Sequence, residues 1–226
     1  MSLNPPEDRF QHRANVVVTA PALEPVTLHD VKLQARISDD AEDSLAVDAI
    51  TEAREMVEDY LGCSLINTTW KVTFDNWPGG DRDQWWSGTR DGHIRELHAP
   101  GSRSVVIPRW PLSSITSVTT YDEGSNSTAV TVANVFDTDT ASTPGRLALQ
   151  SGSTWPVALR PTNAIEIVYV AGYGASAADV PAPLRRAIRN IAAYLITHRG
   201  DCEGPEDIFT GSGARHILQQ YRVVRL

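Results

Sequence analysis

Gly172 and Gly174 flank Tyr173 where the apolar run "IEIVYVA" gives way to a helix-forming stretch. A strand, a Gly-x-Gly turn and a helix in that order can cradle phosphate, because glycine lets backbone N–H groups approach it at a helix N-terminus. The spacing here argues against that chemistry. A dinucleotide loop needs a third glycine and a helix that starts at once. Instead a segment containing Asp179, Pro181 and Pro183 intervenes, and no Lys-Ser/Thr pair follows. The plainer reading makes Gly172 and Gly174 a hinge, adopting backbone angles closed to other residues where a sheet ends.

A second cluster places Trp77, Trp85 and Trp86 among Asp81, Asp83, Arg90 and Asp91. Aromatic rings with carboxylates can stack on and hydrogen-bond a sugar. The same set can anchor a protein interface, where Trp, Tyr and Arg are enriched. Without a second carboxylate pair on an alternating strand, a glycosidase is disfavoured; the interface reading is preferred, with a loosely ordered loop as the alternative. His93 and His98 could share a metal with a nearby Asp, but no helix or tight turn fixes them, and zinc sites use three or four protein ligands. No Gly-x-Ser-x-Gly elbow occurs, and Cys63 and Cys202 stand in no nucleophile setting. Two cysteines are also too few for a disulfide framework, so reduced thiols are expected. The expectation is a protein that is not an enzyme and binds neither cofactor nor metal.

The 226 residues suit one large domain or two small ones. A hydrophobic content of 41% and a charged content of 21% are ordinary for a folded chain. No apolar run is long enough to span a bilayer, and no membrane partner is expected. The first residues, "MSLNPPEDRFQHRANVVVTAP", lack a basic-then-apolar export pattern and read as a flexible arm. The formal net charge of -8 disfavours tight DNA binding, which draws its affinity from neutralised phosphates. It does not exclude a protein past which DNA slides.

The charge is uneven. From Glu24 to Leu61 acids crowd the chain (Asp39, Asp40, Glu42, Asp43, Asp48, Glu52, Glu55, Glu58 and Asp59 among them), against Lys32, Arg36 and Arg54. After Pro183 come Arg185, Arg186, Arg189 and Arg199 with no acid between them. Two such halves either attract each other, within or between subunits, or form two solvated faces.

The elements that must position these residues follow from periodicity. "PVTLHDVKLQARIS" reads as a short helix with Thr27 as N-cap and Asp30 near a capping-box position. "DDAEDSLAVDAITEAREMVEDYLG" is a long helix with Ala46, Ile50, Ala53 and Val57 on one face and Gly62 placed as its C-cap. "SLINTTWKVTFDNW" alternates as a strand, and "SVVIPRWPL", "SSITSVTTYD", "TAVTVANVFD", "GRLALQ" and "AIEIVYVAGY" read as further short strands. Asp122–Asn126 reads as a hairpin turn. Residues 76–103 read as a long insertion. "DVPAPLRRAIRNIAAYLITHRG" is a second strong helix, with Leu184, Ile188, Ile191 and Leu195 on its face and His198 in its last turn, where a cation suits the helix dipole. "GPEDIFTGSG" reads as a linker, followed by a short helix and an apolar-basic end, Tyr221, Arg222, Val223, Val224, Arg225 and Leu226. Such an end can add a strand to a partner or return to its own sheet. The expected fold is therefore α+β: a small α-helical bundle with an inserted antiparallel β domain. Its segments are an arm (1–23), helices (24–62), the β domain (63–174), a closing helix (175–200) and a C-terminal arm (201–226).

"LEPVTLHDVKLQARISDDAEDSLAVDAITEAREMVEDYLG", "IPRWPLSSITSVTTYD", "GRLALQSGSTWP" and "IEIVYVAGYGASAADVPAPLRRAIRNIAAYLITHR" together resemble the head-tail connector (adaptor) proteins of tailed phages and gene transfer agents. The resemblance runs from Leu23 to about Arg199. It implies a virion structural protein at the neck, present in the host cytoplasm during assembly. Its partners would be a portal protein, its own copies in a ring of commonly twelve, and a stopper or tail-completion protein. Double-stranded DNA would pass through the channel without sequence-specific binding. It also implies ring packing by helices, which would engage Arg185, Arg186 and Arg189, and portal binding by the C-terminal arm, Tyr221 to Leu226. The Trp-rich insertion departs from the shorter family members. Rival readings are another neck or tail-completion protein and, behind it, a carbohydrate-binding module on the β region.

Overall fold

The structure, a computed structural model, describes residues 14–77, 103–156, 159–198 and 205–223. Along the chain, β1 (Ala14–Thr19) precedes α1 (Leu28–Ala35) and α2 (Asp43–Leu61). Then come β2 (Thr68–Phe74), β3 (Ser104–Val106), β4 (Leu112–Tyr121), β5 (Ser127–Val130), a short helix α3 (Val132–Val135), β6 (Phe136–Asp139), β7 (Arg146–Leu149) and β8 (Ile165–Ala171). Helices α4 (Ala182–Thr197), α5 (Pro205–Gly211) and α6 (Arg215–Gln219) follow. The expected α+β class is borne out. The described residues fall into two units: a β unit of 14–19, 69–77, 103–108, 114–156 and 159–170, and a helical unit of the rest.

In the β unit one sheet has the order β1-β2-β8-β4-β5 and a second the order β3-β7-β6. The pairs β1–β2, β4–β5, β3–β7 and β6–β7 are antiparallel. β2 and β8 both alternate buried and half-buried positions, which puts Trp70, Val72 and Phe74 on one inward face and Ile165, Ile167 and Tyr169 on another. The expected turn between β4 and β5 is present. Asp122 Oδ1 accepts from Asn126 N–H at 2.8 Å, and Ser125 takes φ +61°. At the β6–β7 hairpin, Asp139 accepts from Arg146 Nε at 2.9 Å and from the N–H groups of Ala141 and Ser142.

Two sequence expectations change here. Residues 14–19, expected in a flexible arm, form β1 and pair Val17 with Trp70 across β2. The run "VVV" carries no alternation, because this edge strand is paired on one side and Val16, Val17 and Val18 are all exposed. "TAVTVANVFD" is not one strand: it breaks into β5, α3 and β6, and within it Phe136 alone is buried.

The helical unit is built on α4, against which α1 and α2 both pack. α1 begins with the expected capping box, where Thr27 Oγ1 accepts from Asp30 N–H at 3.2 Å. α2 ends on Gly62 at φ +68°, the left-handed cap that frees the chain to leave the helix. Ala46, Ile50, Ala53 and Val57 of α2 share one core cluster with Leu184, Ile188 and Ile191 of α4. Inside this unit Glu58 is 7% exposed and Arg54 6%. Glu58 accepts from Arg54 Nη1 at 2.8 Å and from Leu65 N–H at 2.7 Å, and Arg54 Nε donates to Glu24 at 2.9 Å.

The C-terminal segment also differs from expectation. "GPEDIFTGSG" contains α5 rather than a linker, and α5 and α6 both pack on α4. Its Pro, Gly and Asp residues look like loop chemistry, but the pair Ile208-Phe209 is buried, with Phe209 centred 5.0 Å from Tyr60. Within the expected C-terminal arm, residues 205–219 therefore hold two packed helices.

Leu218→Ala, at a fully buried position of α6, is expected to lower stability by about 2–5 kcal/mol through lost transfer energy and the cavity left behind. Urea denaturation checks it, and an unchanged midpoint would return this segment to the status of an arm. Asp139 gives a pH signature. The bond from Arg146, and then the bonds from Ser142, hold its carboxyl at about 2, against an ordinary 3.8. A folded pKa below the unfolded one adds stability in full above the unfolded value, and this is lost as pH falls toward 2. Asp139→Asn is expected to flatten that acid limb in denaturation curves between about pH 4 and pH 2.

Candidate functional site

The charge asymmetry of the sequence converges in one place within the helical unit. A cavity of about 220 Å³ is lined by Pro25, Val26, Asp30, Ala182, Arg185 and Arg189. Arg185 and Arg189 are one helical turn apart on α4, so both project from the same side. Ala182 is the first residue of α4; its N-cap, Pro181, offers no side-chain acceptor, Pro183 carries no N–H, and the N–H groups of Leu184 and Arg185 donate to Pro181 O at 3.0 and 3.2 Å. Asp30 comes from α1. Its carboxyl lies below the ordinary carboxylate range, first through the Thr27 hydroxyl bond and also through Arg189 nearby.

The arginines of this cavity are not satisfied. Nε of Arg185 and Nε of Arg189 are both buried without a hydrogen-bond partner. Buried donors are almost always paired, with protein or with water, so both Nε–H groups call for an acceptor. Arg186 lies between them in sequence but is exposed and does not line the cavity. Of the three expected ring-packing arginines, the structure therefore brings two together and leaves the third outside. Sequence reasoning missed Pro25, Val26 and Asp30. The capping box made Asp30 visible as a helix-start residue, but nothing in the sequence put it beside Arg189.

The Gly172–Gly174 turn is occupied by backbone. Gly172 N–H donates to Pro111 O at 2.9 Å, Tyr173 N–H to Leu65 O at 3.2 Å, and Gly174 O accepts from Asn67 N–H at 2.9 Å. These bonds leave no open phosphate cradle. Gly172 has φ +149°, and a Cβ there would stand 2.5 Å from Asn67 N and 2.6 Å from Ile66 C. A Cβ on Gly174 would meet the Asp179 carboxyl. Asp179 in turn accepts from Ser176 N–H at 2.9 Å, fixing the approach to α4. Close approach, of backbone at Gly172 and of the Asp179 side chain at Gly174, is what these glycines permit.

Trp77 is corrected from interface anchor to interior residue. It is 5% exposed, stacks on Trp155 at 4.7 Å and 15°, and lies 5.6 Å from Phe136. Trp85, Trp86, His93 and His98 lie outside the described residues, as do Val224, Arg225 and Leu226. Tyr221 and Val223 pack partly buried on the helical core, and the Arg222 guanidinium lies 5.9 Å from the Tyr60 ring centre. His198 is the C-cap of α4 and stacks on Tyr194 at 4.1 Å. Cys63 is buried, and burial followed by the neighbouring Glu58 pushes its thiol well up, which makes it inert as a nucleophile at neutral pH. No helix among the described residues is long and apolar enough to cross a membrane.

The fold and this site describe an α+β chain with a helical unit and a β unit, and known proteins share that plan. Residues 25–83 match the family model described as phage gp6-like head-tail connector protein, less than half of the chain. The family resemblance read from the sequence is borne out by that match. No curated protein matches the chain. Solved structures match it along most of its length. A chain in the neck of the empty gene transfer agent particle, with C6 symmetry, has a TM-score of 0.69 at 19% identity, covering 94% of this chain and 97% of that one. A chain in the virion of the native particle gives 0.69 at 20% identity, covering 94% and 96%. A chain in the native neck with C12 symmetry gives 0.63 at 19%, covering 94% and 97%. At these identities the likeness is one of fold.

Gly172→Ala is expected to destabilise the chain, because both its φ and its contact with Ile66 and Asn67 exclude a side chain. Gly152→Ala, at φ +86° but with nothing within 4 Å, separates the backbone term from the clash. Thermal melts should show the larger loss at Gly172.

Proposed function

We propose that this chain is a head-tail connector (adaptor) subunit of a tailed phage or phage-like particle. In this reading copies form a ring in the virion neck, docked under the portal. The ring extends the DNA channel and carries the next neck or tail component. The observation that supports it most is the shared fold: 94% of the chain superposes on chains of gene transfer agent necks, while its first helices match a connector family model. A ring of twelve fits the C12 symmetry of one of those necks.

The physical properties agree. A net charge of -8 keeps passing DNA from adhering, since like charge on a channel wall repels phosphate. The role is mechanical and calls on no catalytic step. Portal, stopper or tail-completion protein, and neighbouring copies are the proposed partners, with the portal held by the end of the chain from Tyr221 to Leu226. Tyr221 and Val223 already pack on the helical core. On this reading portal binding beyond the packed residues falls to Val224 to Leu226.

Particles produced without this protein are expected to be filled heads lacking tails in electron micrographs, and supplying the protein in trans should restore tails. Tailed particles in its absence would overturn the reading. Truncation after Val223 spares the packed residues of the end segment. It is expected to leave the unfolding midpoint unchanged and to abolish co-purification with the portal; retained co-purification would assign portal binding to another surface.

A further inference from the structure

The cavity between α1 and the start of α4 holds two arginines whose Nε atoms lack acceptors, and the same helical unit exposes two acids with no donor among the described residues. We propose that the Arg185–Arg189 cavity is a socket for a carboxylate, and that its occupant is Asp48 or Glu52 on α2 of a second copy of this chain. The proposal rests on the ring reading and names the contact that closes the ring.

Charge selects the class of occupant. Arg185 and Arg189 bring two positive charges into the cavity, and Asp30 removes one. The uncapped N-terminus of α4 adds a partial positive charge. A net of about one positive charge suits a single carboxylate, which can take two guanidinium donors at once. A polyanion such as DNA would meet Asp30 as a repulsive neighbour, and a chain of net charge -8 gives it no approach field.

Bookkeeping of the acids then selects the partner. Within the helical unit most carboxylates are already engaged. Asp40 and Asp43 hold Lys32, Glu24, Glu55 and Glu58 hold Arg54, and Asp59 holds Arg109. Asp48 and Glu52 have no hydrogen bond or ion pair among the described residues, and both are exposed. They are one turn apart on α2. Leu45, 48% exposed, precedes them on the same stripe. That stripe offers an apolar residue beside two acids, and the socket offers Pro25 and Val26 beside two arginines. The two surfaces are different, so a contact between them is head-to-tail and propagates from copy to copy into a ring instead of stopping at a dimer.

The test uses the full chain and two charge-reversed variants. Arg185→Glu with Arg189→Glu gives an acidic socket; Asp48→Arg with Glu52→Arg gives a basic stripe. Each alone pairs like with like and is expected to lose the oligomer in native mass spectrometry. An equimolar mixture pairs every socket with an opposite stripe and is expected to restore an even-numbered ring of alternating copies. The Asp48/Glu52 variant changes exposed positions, so its circular dichroism should match the parent even if the socket variant folds poorly. Oligomers from either variant alone at parental level, or no recovery on mixing two folded variants, would overturn the socket contact and leave the ring reading standing. A parent chain that stays monomeric both at high concentration and in reconstituted necks would overturn the ring reading itself.

Discussion

Glu58 carries a carboxylate into the interior of the helical unit, and much of that unit is arranged around it. Its two oxygens take the Arg54 guanidinium and the Leu65 N–H, while Arg109 donates to the carbonyls of Glu58 and Cys63 just beyond. The two partners respond oppositely. Burial raises Glu58 against the pull of the Leu65 bond and Arg54, which disfavours its charge; Arg54 is raised despite burial by Glu58 and Glu24, which favours its own. The contacts decide for the ionised pair, because both donors bond the charged form of Glu58. A buried pair of this kind is weak as a source of net stability, yet losing one partner costs about 3–5 kcal/mol. It acts as a constraint: the turn from α2 through Cys63 to Leu65 has few other ways to satisfy these groups.

That constraint explains how an acidic chain keeps a specific charged surface. Arg54, Lys32 and Arg109 neutralise acids within the unit, so the raw excess of carboxylates from Glu24 to Leu61 overstates what is available outside. Asp48 and Glu52, which pair with no described residue, lie on an exposed stripe, and Arg185 and Arg189 of α4 keep their own cavity. The opposite-charge halves seen in composition are thus neither one internal attraction nor two plain solvated faces. Part is spent inside the subunit, and part stays unpaired.

The long helices were legible because each sums many positions with one period. α2 repeats its apolar face from Ala46 to Val57, and α4 does so from Leu184 to Leu195. Short segments misled where their context was tertiary. β1 has no alternation because its pairing to β2, and not a buried face, holds it. The expected strand through Phe136 stops at Val130, because α3 intervenes before β6 begins. Trp77 looked like a surface anchor by its Gly- and Asp-rich neighbours, but Trp155, far along the chain, takes its ring face. Ile208 and Phe209 hid a helix inside loop-like composition for the same reason.

The sequence alone determined the α+β class, the caps at Thr27 and Gly62, the hairpin at Asp122–Asn126, and the absence of a phosphate-loop spacing around Gly172. These are local: each depends on residues a few positions apart, whose geometry the backbone enforces wherever the segment sits. Tertiary structure decided which glycine contacts forbid a Cβ, which carboxylates are consumed, and that Asp30 meets Arg189. Those depend on segments distant in sequence arriving at one point, and charge pairing in particular is settled only when every competing partner has its place.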